Sequence, residues 1–214
     1  WMNGEKPDVA KWVDNYAVAR YGQDNAVVKE AWSLLRQGPL NYGADGIQGP
    51  VEDVWAARPN LDAKPASYWG KTLNHAGGTY TKARRQMLID ATYKLLSQHE
   101  ALGLAEGSVY ESNYNYDLVE FIGAVMADYA YDLLLGIRAA KDAAGEDFAT
   151  DATYMARRDA FLQLILDVDA FKGTNLNFRL GKWTQEARDA AGEVEGATTA
   201  TPDWYEYNNA RTIV

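Results

Sequence analysis

Tyr116-Asp117-Leu118-Val119-Glu120-Phe121-Ile122-Gly123-Ala124-Val125-Met126-Ala127-Asp128-Tyr129-Ala130-Tyr131-Asp132-Leu133-Leu134-Leu135-Gly136-Ile137 decides the fold. Leu118, Ile122, Val125, Met126, Tyr129, Leu133 and Ile137 recur every three or four residues, the repeat of one helix face. No other segment sustains that period so long, and the expected helix covers 116–144. It should be the centre of the core, and Leu133→Ala should cost about 2–5 kcal/mol as a buried large-to-small change.

Helical punctuation continues on both sides. Pro7 and Asp8 open a run with Val9, Trp12, Val13, Tyr16 and Ala17 on one face, and Gly22 stops it. Asp24-Asn25 starts a second run, with Val27, Val28, Ala31, Trp32 and Leu35 at helical spacing, which lasts to Gly38-Pro39. A third covers about 80–102, with Ala83, Met87, Ala91, Tyr93, Leu95 and Leu96 as its stripe and Gly103 at its end. Beyond the long helix come runs at about 151–171, with Tyr154, Phe161, Leu162, Ile165, Leu166 and Val168, and at 176–191, with Leu180, Trp183, Ala187 and Ala190. Thr201-Pro202-Asp203 then combines a capping hydroxyl, a proline at the first helical position and an acid in the first turn, opening a last helix towards Val214. No strand alternation and no fixed-period repeat is present. The expected fold is all-α, about seven helices in a single domain over 1–214. One long loop interrupts it: 40–69 holds Gly43, Gly46, Gly49, Pro50, Pro59 and Pro65 with little periodicity, and loops of that length in compact domains are usually functional.

Composition narrows the function classes. The 214 residues are 47% hydrophobic, with 21 Lys+Arg against 30 Asp+Glu and a net charge of −9. That is enough apolar material for a large core. The acidic balance argues against an extended nucleic-acid-binding surface. No apolar run reaches the ~18 residues of a membrane span. The absence of cysteine excludes disulfides, a thiolate nucleophile, zinc ribbons and iron–sulfur ligation. Trp1-Met2-Asn3-Gly4-Glu5-Lys6 has neither the basic nor the apolar part of a targeting peptide, and it reads as a processed protein or a piece of a longer one. No Asn-x-Ser/Thr sequon occurs.

Catalytic motifs are missing. His75 and His99 stand outside any zinc-binding spacing, so a structural or surface role is expected for each and no metal site is predicted. The glycines 43–49 and 77–78 lack a phosphate-cradling frame, and there is no GxSxG elbow. No cofactor is implied. Asp117, Glu120, Asp128 and Asp132 share the long helix without the Glu-x-x-His partners of a di-metal bundle, so they should be solvated or pair with other helices. Tyr42, Trp55, Tyr68 and Trp69 lie in or beside the long loop. Rings beside acids suit the C–H faces and hydroxyls of sugars. The same rings would equally pin a loop to the core, and the sequence leaves both readings open.

Six blocks carry a resemblance: Trp12-Val13-x-x-Tyr16-Ala17-x-x-Arg20-Tyr21-Gly22; Ala31-Trp32-x-Leu34-Leu35; Ala57-Arg58-Pro59-Asn60-Leu61; Tyr116-Asp117-Leu118-Val119; Phe178-Arg179-Leu180-Gly181-Lys182-Trp183 followed by Ala187-Arg188; and Trp204-Tyr205-Glu206-x-Asn208 with Arg211. In order and approximate spacing they resemble the C-terminal helical domain of the α-N-acetylglucosaminidases, glycoside hydrolase family 89, over nearly the whole chain. That family includes a lysosomal heparan-sulfate enzyme and bacterial mucin-acting relatives.

The resemblance implies a retaining hydrolase of terminal α-linked N-acetylglucosamine. Its two catalytic glutamates would lie in a (β/α)8 barrel preceding this region, since a barrel alone needs ~250 residues. The chain would then hold no catalytic residue and be inactive alone, packing against the barrel and closing one side of the sugar pocket. Further pocket residues, in a Trp-Gly stretch, would follow the point where this sequence stops, so its C-terminal end is expected to be truncated. The Gly49-Pro50-Val51-Glu52 turn corresponds to the segment that reaches the pocket, which makes Glu52 the polar candidate for sugar binding, with Tyr42 and Trp55 beside it; a solvent-exposed loop acid is the alternative. An extracytoplasmic location, secreted, periplasmic or lysosomal, is implied too. The composition also permits a stand-alone helical glycan-binding or scaffold domain without catalysis.

Overall fold

A computed structural model describes residues 7–41 and 82–192, the latter without the side chains of 82, 84 and 187–192. Among the described residues there is no strand. The α-helices are α1 (Val9–Tyr21), α2 (Ala26–Gln37), α3 (Lys82–Ser97), α4 (His99–Leu102), α5 (Val109–Ala144), α6 (Ala152–Lys172) and α7 (Leu180–Gly192), with 3-10 turns at Gly145–Thr150 and Leu176–Phe178. The all-α expectation holds. The Gly/Pro-rich loop and the last expected helix fall outside the described residues.

Side-chain caps set the helix starts. Asp8 accepts from the Lys11 amide at 3.0 Å, Asn25 from Val27 and Val28 at 2.9 and 3.1 Å, and Asp151 from Tyr154 at 2.8 Å. Each acceptor satisfies an amide that has no partner within its own helix. Gly22 ends α1 with φ +72 and its amide donating to the Val18 carbonyl. A Cβ there would meet the Tyr110 ring at 2.8 Å, so both backbone and packing require glycine.

Two expected boundaries moved. The long helix begins at Val109, earlier than 116, because Ser108 caps it, accepting from Glu111 N at 3.1 Å while Glu111 reaches back to Gly107 N at 2.6 Å. The 80–102 run is two helices, broken at Gln98, whose backbone leaves the helical region.

The main core gathers Val13, Ala17 and Tyr21 of α1, Val28, Ala31, Trp32 and Leu35 of α2, Leu88, Ala91 and Leu95 of α3, Leu102, and Tyr114 and Phe121 of α5. A second cluster lies further along α5, where Ala130 and Tyr131 pack with Leu134 and with Phe161 and Leu164 of α6. One helix, ~54 Å long at the standard rise, serves both. Gly123 and Gly136 of α5 leave room for the Lys172 and Arg157 side chains of α6, which a Cβ would strike.

Several expected core positions are displaced. Val9 and Trp12 of α1, Tyr93 and Leu96 of α3, Tyr129 of α5, and Leu162 and Leu166 of α6 are exposed. Leu133 is only half-buried. The buried side of α5 keeps Ile137 of the expected stripe and adds Tyr114, Val119, Phe121 and Tyr131 together with small residues, Gly123, Ala127, Ala130 and Ala140, which let a neighbouring helix come close. In α3 the stripe runs through Leu88, Ala91, Thr92 and Leu95. Of α6, Val168 alone among the described side chains is fully buried.

Candidate functional site

Tyr42, Glu52 and Trp55 lie outside the described residues, as do Tyr68, Trp69, His75 and the block at 204–211. The described part of the domain shows what brackets them: α2 ends at Gln37 and α3 begins at Lys82. Polar groups that hold α1, α2 and α5 together meet at one place.

Asp117 is its centre. It sits on α5, 4% exposed, where an isolated carboxylate would be strongly disfavoured. Arg20, one residue from the end of α1, binds it with both ends of its fork: Nη2 donates to Oδ1 at 2.6 Å and Nε donates to Oδ2. The Tyr21 hydroxyl donates to Oδ2 at 2.7 Å and itself accepts from Trp32 Nε1 of α2 at 3.2 Å. A relay of donors thus runs from α2 through α1 to α5. The Arg20 guanidinium also lies 5.7 Å from the centre of the Tyr16 ring, and the Arg20 carbonyl accepts from Asn113 Nδ2 at 3.0 Å. Nearby, the buried Tyr114 hydroxyl donates to the Leu95 carbonyl at 2.7 Å and ties α5 to α3.

The electrostatics match a locked structural hub. The hydrogen bond to Asp117 holds Arg20 even more firmly protonated than usual. Burial first, then the Asp117 charge, pushes the Tyr21 phenol well above its ordinary range. Burial raises Tyr114 to about 12. With three donors on it and little room for water, Asp117 has no geometry for proton transfer to a substrate. Its effect is positional: through Tyr21 and Trp32 it ties α1 and α2 to α5, while Tyr114 separately ties α3 at Leu95, and residues 42–81 lie between α2 and α3 in the chain.

A second ion cluster joins α3 to α5. Arg85 donates to Asp132 at 2.6 and 3.2 Å and lies 3.7 Å from the buried Asp128. Helix pairing therefore describes Asp117, Asp128 and Asp132, while Glu120 is exposed. His99 is exposed, with its ring 5.9 Å from that of Tyr114. Among the described residues no group of three or more His, Cys, Asp or Glu side chains could hold a metal ion.

The polar hub is built from the blocks that carried the family resemblance: Arg20 and Tyr21 from the first, Trp32 from the second, Asp117 from the fourth. Tyr116, beside Asp117, stacks on Phe178 of the fifth at 5.0 Å. A family model described as the α-N-acetylglucosaminidase (NAGLU) C-terminal domain matches residues 12–214. The chain belongs to that family. Human α-N-acetylglucosaminidase is 22% identical over 211 residues, covering 98% of this chain and 24% of the human protein. A family 89 glycoside hydrolase from Clostridium perfringens, solved in complex with PUGNAc, superposes with a TM-score of 0.73 at 21% identity, covering 98% of this chain and 21% of that one. The same scores relate it to a doubly substituted form of that enzyme in complex with its substrate GlcNAc-α-1,4-galactose. The fold is thus shared almost end to end, and the chain spans about a quarter of the human relative's length and a fifth of the bacterial one's. Among the described residues no helix is long and apolar enough to cross a membrane.

Proposed function

We propose that this chain is the C-terminal helical domain of an exo-acting, retaining α-N-acetylglucosaminidase. The match of residues 12–214 to the C-terminal-domain family carries this reading. The substrate is a glycan ending in α-linked N-acetylglucosamine. The two catalytic glutamates belong to a preceding (β/α)8 barrel of the same polypeptide, and residues 1–214, as one domain, wall one side of the sugar pocket without doing chemistry. The location is extracytoplasmic, where such glycans are met.

Within this reading the hub around Asp117 acts as a mount. Together with the Tyr114–Leu95 bond it holds α2 and α3 to α5, so that the segment between them presents Glu52 to the sugar, with Tyr42 and Trp55 offering ring faces to it. An ionised carboxylate accepts hydrogen bonds from sugar hydroxyls, each worth roughly 1.5–3 kcal/mol.

The test is hydrolysis of an aryl α-N-acetylglucosaminide by the full-length polypeptide. Turnover with retention of anomeric configuration, and none from the 214-residue chain alone, is the expected result. Turnover by the chain alone, or an inert full-length protein, would end the proposal. Glu52→Ala in the full-length enzyme should lower kcat/KM by about tenfold or more. The neighbouring Asp53→Ala is the control, and an unchanged kcat/KM in Glu52→Ala would remove Glu52 from the pocket.

A further inference from the structure

Trp12 of α1 is 62% exposed, yet its ring is held in place. It stacks on Tyr16 with ring centres 5.5 Å apart and planes 16° from parallel. Tyr16 meets the buried Trp32 edge-on at 4.9 Å, and Trp32 meets Phe121 of α5 edge-on at 5.8 Å. Trp12 is thus the outer end of an aromatic column rooted in the main core. The Arg20–Asp117 pair fixes the next turn of α1, with the Arg20 guanidinium 5.7 Å from the centre of the Tyr16 ring. Tyr16 takes one side of the Trp12 ring and leaves the other to solvent.

Residues three and four positions away share the Trp12 side of the helix. Besides Tyr16 these are Asp8, Val9 and Asn15, all exposed. Asp8 sits one turn above, its carbonyl accepting from the Trp12 amide at 3.0 Å. Its Oδ1 caps the Lys11 amide, and its Oδ2 has no partner among the described residues. A flat ring face, an apolar side chain, a carboxylate and a primary amide are therefore gathered on one side of α1. That mixture suits a pyranose, which offers a flat C–H face and a rim of hydroxyls. A ring already fixed loses little freedom when it binds.

Other ring-seeking ligands fit less well. A quaternary ammonium is best held by rings on several sides, and Trp12 offers one face. A nucleotide brings phosphate, which Asp8 and a net charge of −9 repel. Lys11 lies about 100° round the helix from Trp12. The Arg20 charge is committed to Asp117. Of the residues three or four positions from Trp12, Asp8 alone is charged, which favours a sugar without sulfate or carboxylate.

We propose that the open face of Trp12, with Asp8 and Asn15 at its rim, binds a neutral pyranose of a glycan. This stands apart from the enzymatic reading, because it needs neither turnover nor N-acetylglucosamine.

The test titrates lactose, a neutral disaccharide without an N-acetyl group, into the full-length polypeptide and follows the sugar by saturation-transfer NMR. A Kd of about 1–10 mM is expected. Trp12→Ala should weaken binding at least about tenfold, while Trp12→Phe, which keeps a stacking ring, should stay within about threefold. Lactose carrying a sulfate on its galactose should bind the unsubstituted protein at least about threefold more weakly. Asp8→Asn preserves the helix cap and should abolish that difference, a comparison that needs no Trp12 variant to fold. No binding at about 30 mM lactose overturns the proposal. So does an unchanged Kd in Trp12→Ala, equal binding of the sulfated sugar by the unsubstituted protein, or displacement of lactose by tetramethylammonium, which marks a cation site. Activity on the aryl glycoside separates the two claims. An active enzyme that ignores lactose defeats the sugar platform alone, and an inert protein that binds lactose through Trp12 defeats the enzymatic reading alone.

Discussion

Replacing Asp117 with alanine removes the acceptor on which three donors converge. Arg20 would lose both of its hydrogen bonds to the carboxylate, and Tyr21 would lose its 2.7 Å acceptor while still holding the Trp32 indole. Removing one partner of a buried pair typically costs about 3–5 kcal/mol, because the other charge stays behind. The Arg20 side chain is 20% exposed and can turn partly to water, which trims the figure to about 2–4 kcal/mol. Against the 5–15 kcal/mol that holds a typical domain, this is a large fraction. Urea denaturation followed by tryptophan fluorescence measures it. The double variant Arg20→Ala/Asp117→Ala should cost well under the sum of the two single changes, since the stranded cation is gone. A loss under about 1 kcal/mol for Asp117→Ala would place the residue among ordinary surface positions and refute the hub. Strict additivity in the double variant would refute the pairing.

Three further outcomes are expected. Leu35→Ala, at a fully buried position of α2, should cost about 2–5 kcal/mol, whereas half-buried Leu133→Ala should stay below about 2 kcal/mol; comparing denaturation midpoints tests the pair. Gly22→Ala should lose more than about 1 kcal/mol, from its left-handed φ of +72 and the Tyr110 ring that must move aside, and a neutral thermal melt would contradict that. Stability should fall in alkali: Tyr114 has a folded pKa of about 12 against 10.0 unfolded, so its contribution is intact below pH 10 and drains away towards pH 12, at up to about 1.4 kcal/mol per pH unit. Tyr21 acts in the same direction, and ultraviolet titration should show both phenols ionising at higher pH than an exposed tyrosine.

Local chemistry made much of the fold readable. Asp8 with Gly22, Asn25 with Gly38, Asp151 and Gly103 mark helix ends in the sequence and mark them in the structure. The first turns of α5 were hidden because Ser112, Asn113 and Asn115 dilute the apolar period, although Ser108 and Glu111 spelled out the cap. The buried side of α5 was misjudged for a different reason. Hydrophobic periodicity favours bulky residues such as Tyr129, while close helix packing selects Ala127 and Ala130, which carry little hydrophobic signal. The hub was legible only as family blocks. Nothing in a linear sequence pairs Arg20 with an aspartate 97 residues away, and four acids on one helix look alike until one is seen inside. Glu52, Tyr42 and Trp55 are known by resemblance and residue type alone, since they lie outside the described residues.

The two packed clusters share α5 but no buried side chain. That makes the domain divisible. If α6 swings away, the cluster that α1, α2 and α3 build around Leu35 survives, because it draws no residue from α6. Damage near Phe161 and damage near Leu35 should therefore behave as separate faults, each with its own repair, rather than as shares of one common loss. Under the proposed role of a wall to a sugar pocket, such partition would let one end yield to a neighbour while the other keeps its shape.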